Sequence, residues 1–168
     1  MNDIVIEELL VKKLKNKNLT ISTAESCTGG LVAATIVNVS GASDVFNEGY
    51  VTYANEAKNR ILGVDNEVLN TVGAVSAKTA KMMAKGCARN AHADIGISTT
   101  GIAGPGGGTK EKPVGLVYIG CYYKGKEIAV KNIFEGDRTT VRNSAVKAAI
   151  KLAIDIIDKD INSYDSYL

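Results

Sequence analysis

Apolar positions along the chain recur in patterns that each predict an element. Ile6, Leu9, Leu10 and Leu14 stand at helical spacing, so residues 4–16 read as a first helix. LTISTA (19–24) is short, β-branched and alternating, which predicts a strand, and a helix is expected from about Gly29 to Val39. GYVTYA (49–54) predicts a second strand with Tyr53 at its end. NEAKNRILG (55–63) then predicts a short helix, with Asn55 as candidate N-cap and Gly63 as its stop. Past Ser76, another candidate N-cap, Ala80, Met83, Ala84, Cys87 and Ala88 share one helical stripe, and Lys78, Lys81, Lys85 and Arg89 line the opposite side. That basic row could meet an anion, but a solvated face is the better reading, because such helices normally keep lysines in water.

ADIGISTT (93–100), VGLVYIGCYY (114–123) and EIAVKNIF (127–134) predict three more strands, the last two joined by a hairpin turn in YYKGKE. A final helix is expected from near Thr140, with Val141, Ala145, Ala148, Ala149, Leu152 and Ile156 on its buried side, and the polar tail from about 159 to 168 should fray. Early strand–helix alternation predicts parallel pairing and the late hairpin adds antiparallel strands. The expected fold is α/β: a three-layer α/β/α sandwich with a mixed parallel/antiparallel sheet, formed by residues 1–168 as a single domain.

Composition narrows the chemistry. The chain has 168 residues, 45% hydrophobic and 23% charged, the balance of a globular protein with a core of its own. No apolar run approaches the roughly 18 residues of a spanning helix, and the N-terminus lacks a signal-peptide layout, so a cytoplasmic protein without a membrane partner is expected. The net charge of +2 is low for a nucleic-acid module. Three cysteines, Cys27, Cys87 and Cys121, fit neither a disulfide framework nor a zinc site. With His92 the single histidine, a multi-histidine metal site is excluded, and neither a metal nor a cofactor is expected.

Three stretches could carry chemistry. In TAESCTGG (23–30) a strand ends at a serine beside a cysteine, just before two glycines. Helix N-termini stabilise anions and developing oxyanions, and the glycines of such a turn let a ligand approach the backbone. The plain alternative is that Ser26 or Thr28 caps a helix. In TTGIAGPGGG (99–108), five glycines and a proline follow an apolar strand. That loop suits a phosphate or carboxylate but matches neither a P-loop nor a dinucleotide fingerprint. In YVTYANEAK, Lys58 falls in the first turn of a helix, facing the positive end of its dipole. That placement lowers a lysine pKa, and burial lowers it further. An ordinary lysine is neutral in only about one molecule in a few thousand at pH 7; a depressed one can act as a general base. The plain alternative is a surface lysine beside a core tyrosine.

TAESCTGG, GYVTYANEAKNRILGV, VGAVS, TTGIAGPGGGTKEKPVGLVYIG and FEGDRTTVR, in this order from residue 20 to about 155, resemble the CinA C-terminal domain family, whose characterised activity is nicotinamide-nucleotide amidase. The resemblance implies a hydrolase converting nicotinamide mononucleotide to nicotinate mononucleotide and ammonia in pyridine nucleotide salvage. It implies Ser26 as nucleophile, with Tyr53 and Lys58 completing the catalytic set. Longer family members carry a separate N-terminal domain, whose activity should be absent from this chain. A homodimer or higher homo-oligomer is also implied.

On this reading Lys58 takes the serine proton directly or through Tyr53, and backbone amides of Cys27, Thr28, Gly29 and Gly30 hold the oxyanion. Cys27 is the rival nucleophile. The substrate phosphate is assigned to the loop carrying Gly101, Gly104 and Gly106, with Thr100 adding a hydroxyl. Arg138 is a second candidate, because an arginine fork suits phosphate, although it could instead pair with Asp137 or another carboxylate. His92 is expected to be a surface residue. The competing functions are a non-catalytic nucleotide-binding or competence-related regulatory module and an interaction domain in DNA uptake; near-neutral charge argues against direct nucleic-acid binding.

Overall fold

The computed structural model describes residues 5–159. Helix α1 (Ile6–Lys17) has Glu7 and Glu8 in its first turn and Lys15 and Lys17 in its last, each sign matching the helix dipole. It ends on Asn18, whose φ of 51° breaks the helix. Strand β1 (Ile21–Glu25) follows, buried throughout, and then helix α2 (Leu31–Val37). A single 3₁₀ turn (Ala42–Asp44) precedes strand β2 (Phe46–Val51). Helices α3 (Asn55–Leu62), α4 (Asn66–Thr71) and α5 (Ala77–Asn90) lead to β3 (Ile95–Gly101), β4 (Leu116–Tyr123) and β5 (Lys126–Ile133), and α6 (Arg138–Asp158) closes the described chain.

The five strands form one sheet in the order β2-β1-β3-β4-β5. β1 pairs in parallel with β2 and β3, and the pairs β3–β4 and β4–β5 are antiparallel. Two apolar clusters cover its faces. The larger joins α1, α2 and α6 to the sheet through Leu10, Leu14, Ile36, Val141, Ala149 and Ile150. The smaller sits under α3, α4 and α5 around Leu62, Leu69, Met83 and Cys87. This is the expected three-layer sandwich. Helix α5 lies so close to the sheet that a Cβ on Gly96 or Gly120 would run into the carbonyl oxygens of Ala84 and Ala80.

The predicted stripe of α5 is buried, and Ser76 caps that helix by accepting from the Thr79 N–H. Gly63 stops α3 with a φ of 70°. Some boundaries differ. Helix α2 begins at Leu31, because Gly29 and Gly30 take φ values of 61° and 100° that no helix continues. Ala54 occupies the α3 cap position without a side-chain bond, and Asn55 is already helical. Tyr53 lies two residues beyond β2, in the link to α3. Helix α6 starts two residues before Thr140, capped by the Asp137 carboxylate accepting from the Thr140 N–H. Helix α4 and the 3₁₀ turn are too short to show a period. Apart from its first residue, the tail expected to fray lies outside the described residues.

Candidate active site

The chain leaves β1 toward the larger apolar cluster and β2 toward the smaller one. Adjacent parallel strands whose exits go to opposite faces open a crevice beyond their carboxyl ends, where α/β proteins place their ligands. Ser26 stands directly after β1, and the Thr52–Tyr53 link follows β2, so both border this crevice.

Glu25 organises the turn around Ser26. Its Oε2 accepts from the N–H groups of Gly30 (3.0 Å) and Val32 (2.9 Å) and from the Thr28 hydroxyl (2.6 Å), and its Oε1 accepts from the Ala33 N–H (2.8 Å). The Thr28 proton being committed, the Thr99 hydroxyl donates to Thr28 Oγ1 at 2.6 Å. The cap of α2 is therefore the glutamate, and Ser26 and Thr28 leave that duty to it. Ser26 is held by its backbone, its N–H donating to the Thr99 carbonyl at 2.9 Å, which frees its hydroxyl for another partner.

That partner is Lys58. Helical side chains lean toward the helix N-terminus, so the fourth residue of α3 reaches back over the link that precedes it. Its Nζ donates to Ser26 Oγ at 2.9 Å, to the Thr52 carbonyl at 2.8 Å and to the Tyr53 carbonyl at 3.0 Å. Lys58 is 1% exposed, and no carboxylate is among these partners. Burial lowers its pKa from the usual lysine range to about 8. Cys27 presents the opposite case: it is 6% exposed, and burial pushes its thiol up to about 11, which suppresses the thiolate a nucleophile needs.

The oxyanion candidates divide. The Gly30 N–H is committed to Glu25, and the Gly29 N–H donates to the Ser26 carbonyl at 3.2 Å. The amides of Cys27 and Thr28 have no acceptor on another described residue. Two of the four predicted donors, in the residues directly after Ser26, are thus left without such an acceptor.

Tyr53 contributes its carbonyl rather than its phenol to the Lys58 amine. The side chain is 63% exposed, and its hydroxyl accepts from Arg138 Nη2 at 3.2 Å. Arg138 also donates from Nη1 to the Gly104 carbonyl at 2.8 Å, so it joins the glycine loop to Tyr53 in place of pairing with Asp137. Thr100 is 1% exposed, and its hydroxyl donates to the Ala74 carbonyl at 2.7 Å, which removes it from the open crevice. Gly101 ends β3, buried Gly104 precedes Pro105, and Gly106 is exposed with open space around it. His92 is exposed, as expected. In the basic row of α5, Lys78, Lys85 and Arg89 are exposed, and Lys85 pairs with Glu127 at 2.7 Å.

Sequence reading missed two residues of this site. Glu25, the last residue of β1, carries no signal of its own in the sequence. Arg142, four residues after Arg138, reaches the Ser26 turn from α6, with Nε donating to the Cys27 carbonyl at 3.1 Å and Nη2 to the Thr28 carbonyl at 2.8 Å. The signal available was the spacing of the two arginines, which puts both on one side of the first turns of α6.

The fold and this arrangement define an α/β/α protein in which a buried lysine amine abuts an otherwise free serine at the carboxyl edge of a parallel strand pair. Residues 3–157 match the CinA C-terminal domain, and the chain belongs to that family. It is 57% identical over 145 residues to a CinA-like protein of Kosmotoga olearia, covering 86% of this chain and 35% of that one. A Clostridium beijerinckii relative is 54% identical over 157 residues, with 94% and 38% covered; the chain thus spans under two-fifths of the length of either relative. Among solved structures it resembles the competence/damage inducible protein CihA from Agrobacterium tumefaciens, with a TM-score of 0.87 at 41% identity and 92% and 96% of the two chains covered. It also resembles a competence-damaged protein (CinA) superfamily protein from Enterobacter cloacae, with a TM-score of 0.86 at 34% identity and 94% and 95% covered. Among the described residues no helix is long and apolar enough to cross a membrane.

Proposed function

We propose that this chain is an amidohydrolase that deamidates nicotinamide mononucleotide, with Ser26 as nucleophile and Lys58 as its base. The observation that carries the reading is the 2.9 Å contact between the Lys58 amine and the Ser26 hydroxyl. Carbonyl oxygens only accept, so the Thr52 and Tyr53 carbonyls fix two of the amine's protons. In the ammonium form the third proton points at Ser26. In the neutral form that direction holds the lone pair, and the serine proton can pass along it. With a pKa of about 8, about one molecule in ten is neutral at pH 7, against about one in a few thousand for an ordinary lysine.

Ser26 Oγ then attacks the carboxamide carbon as its proton moves to Lys58. The amides of Cys27 and Thr28 receive the oxyanion, and the Lys58 ammonium returns the proton to the departing ammonia. A water deprotonated by the same amine hydrolyses the acyl-enzyme. The direct amine–hydroxyl contact favours the shorter proton route over one through the Tyr53 phenol. The exposed glycines 106–108 and the free N–H groups of Arg138 are assigned to the substrate phosphate.

The test is ammonia release from nicotinamide mononucleotide. The reading predicts release by the purified chain, its loss in Ser26→Ala and its persistence in Cys27→Ala. Nucleotide binding without release would instead mark a non-catalytic module, and equal release by Ser26→Ala would remove the serine from the chemistry.

A further inference from the structure

We propose that Arg142 is a positioning residue that aims the two oxyanion-binding amides, acting through the peptide planes of the Ser26 turn. The proposal rests on Ser26 being the nucleophile, but not on the identity of the amide substrate.

The argument follows from peptide planarity. In a trans peptide the C=O of one residue and the N–H of the next point in opposite directions, and the peptide bonds of this turn are trans. The Arg142 Nε–H donates to the Cys27 carbonyl at 3.1 Å, so the Thr28 N–H in the same plane points away from the guanidinium. Nη2 donates to the Thr28 carbonyl at 2.8 Å, which turns the Gly29 N–H the other way, onto the Ser26 carbonyl at 3.2 Å. That bond fixes the Ser26–Cys27 plane and with it the Cys27 N–H. One guanidinium therefore sets the direction of both unpartnered amides, one directly and one through Gly29.

Its charge acts in the same sense. A cation on the Cys27 carbonyl polarises that peptide and makes the Thr28 N–H a stronger donor. Two donors in a rigid fork are needed to grip two successive carbonyls, and a lysine ammonium lacks that fixed geometry. Glu25 holds the other end of the turn through Gly30, Val32 and Ala33. Arg142 is the side chain whose donors grip the stretch between that anchor and Ser26.

The experiment uses a fluorophosphonate, which reports on Ser26 without any amide substrate. Ser26 Oγ forms a bond to phosphorus, the P–F bond breaks, fluoride leaves and the serine proton passes to Lys58; the phosphoryl oxygen carries the developing charge onto the amides. Labelling is followed by intact mass across pH 6 to 10 for the wild type, Ser26→Ala, Arg142→Lys and Arg142→Ala, the last with and without millimolar guanidinium. Losing one aligned oxyanion donor costs about 10²- to 10³-fold. The proposal predicts labelling of the wild type but not of Ser26→Ala, and labelling of Arg142→Ala slowed about 10- to 100-fold at every pH. The inflection set by Lys58 should stay in place, added guanidinium should restore part of the rate, and Arg142→Lys should stay well below wild type.

Wild-type rates in Arg142→Ala would overturn the proposal. So would a loss without guanidinium rescue in which the inflection moves up toward ordinary lysine, since the turn would then merely have come apart and wetted Lys58. If the wild type is not labelled, the serine reading falls and this proposal with it. If it is labelled but releases no ammonia from nicotinamide mononucleotide, the substrate assignment alone falls.

Discussion

The Ser26 turn and the glycine-rich loop after β3 both follow a strand at the same edge of the sheet, yet they are built in opposite ways. Between Glu25 and Gly30 the chain is held by partners supplied by Glu25, Thr99, Lys58 and Arg142 from different elements, which leave the Cys27 and Thr28 amides open. From Pro105 to Glu111 the loop is exposed, and two long side chains tether its flanks: Arg138 on the Gly104 carbonyl and Lys112 on the Val72 carbonyl. The first arrangement holds Ser26 and its neighbours from several sides, the kind of positioning that nucleophilic chemistry requires. The second leaves amides in the open, where a ligand can meet them. Bond-making and recognition are on this account divided between a locked turn and a loosely tethered one.

The largest expected effect lies in the locked turn. Lys58→Met removes the base and should reduce ammonia release at least about 10³-fold, with far-UV circular dichroism unchanged. The same variant tests the cost of burying the amine. The unfolded chain keeps the lysine proton up to about pH 10.4, whereas the folded chain releases it above about 8. Wild-type stability relative to Lys58→Met should therefore rise between those two pH values and stay flat below them. Urea titrations at pH 7 and 10 measure the difference, and no change between them would mean the amine is not desolvated.

Next comes Glu25→Ala, which leaves three backbone N–H groups of the α2 start without their acceptor. Of these three bonds one, from the Val32 N–H, is buried and two are half-buried; an unsatisfied buried group costs about 1–3 kcal/mol, so a loss of about 1–3 kcal/mol is expected by chemical denaturation. A loss under about 1 kcal/mol would mean that the turn is held by something else.

In the open loop the effect should fall on binding. Arg138→Met should raise KM for a phosphate-bearing substrate about tenfold with kcat little changed; a drop in kcat at constant KM would move Arg138 from recognition to chemistry. The smallest change is expected for Tyr53→Phe. If the phenol carries no proton, kcat should stay within about threefold of wild type, whereas a loss of 10² or more, in the usual range for a general acid–base group, would restore the longer proton route.

Much of this was legible in the sequence because it is local. The period of Ala80, Met83, Ala84 and Cys87 fixed the buried face of α5, and β-branched alternation marked β1. The place of Lys58 in the first turn of α3 left a perturbed lysine and a surface lysine as rival readings, and the burial that lowers its pKa comes from tertiary packing. What escaped depends on contacts between distant segments. Nothing near Glu25 in sequence says that its side chain folds over the start of α2, because glutamate at a strand end is ordinarily a solvated residue. Arg142 meets Cys27 and Thr28 across more than a hundred residues. The directions of the Tyr53 and Thr100 hydroxyls, onto Arg138 and Ala74, are likewise set by tertiary packing.

The central claim is that the fold holds the Lys58 amine ready to lose its proton beside Ser26. The pH dependence of kcat/KM for ammonia release tests it most directly. Only the neutral amine accepts the serine proton, so the rate should rise with pH and level off above an inflection near 8. A rate still climbing past pH 10, as an ordinary solvated lysine would give, or one indifferent to pH between 6 and 10, would contradict the account.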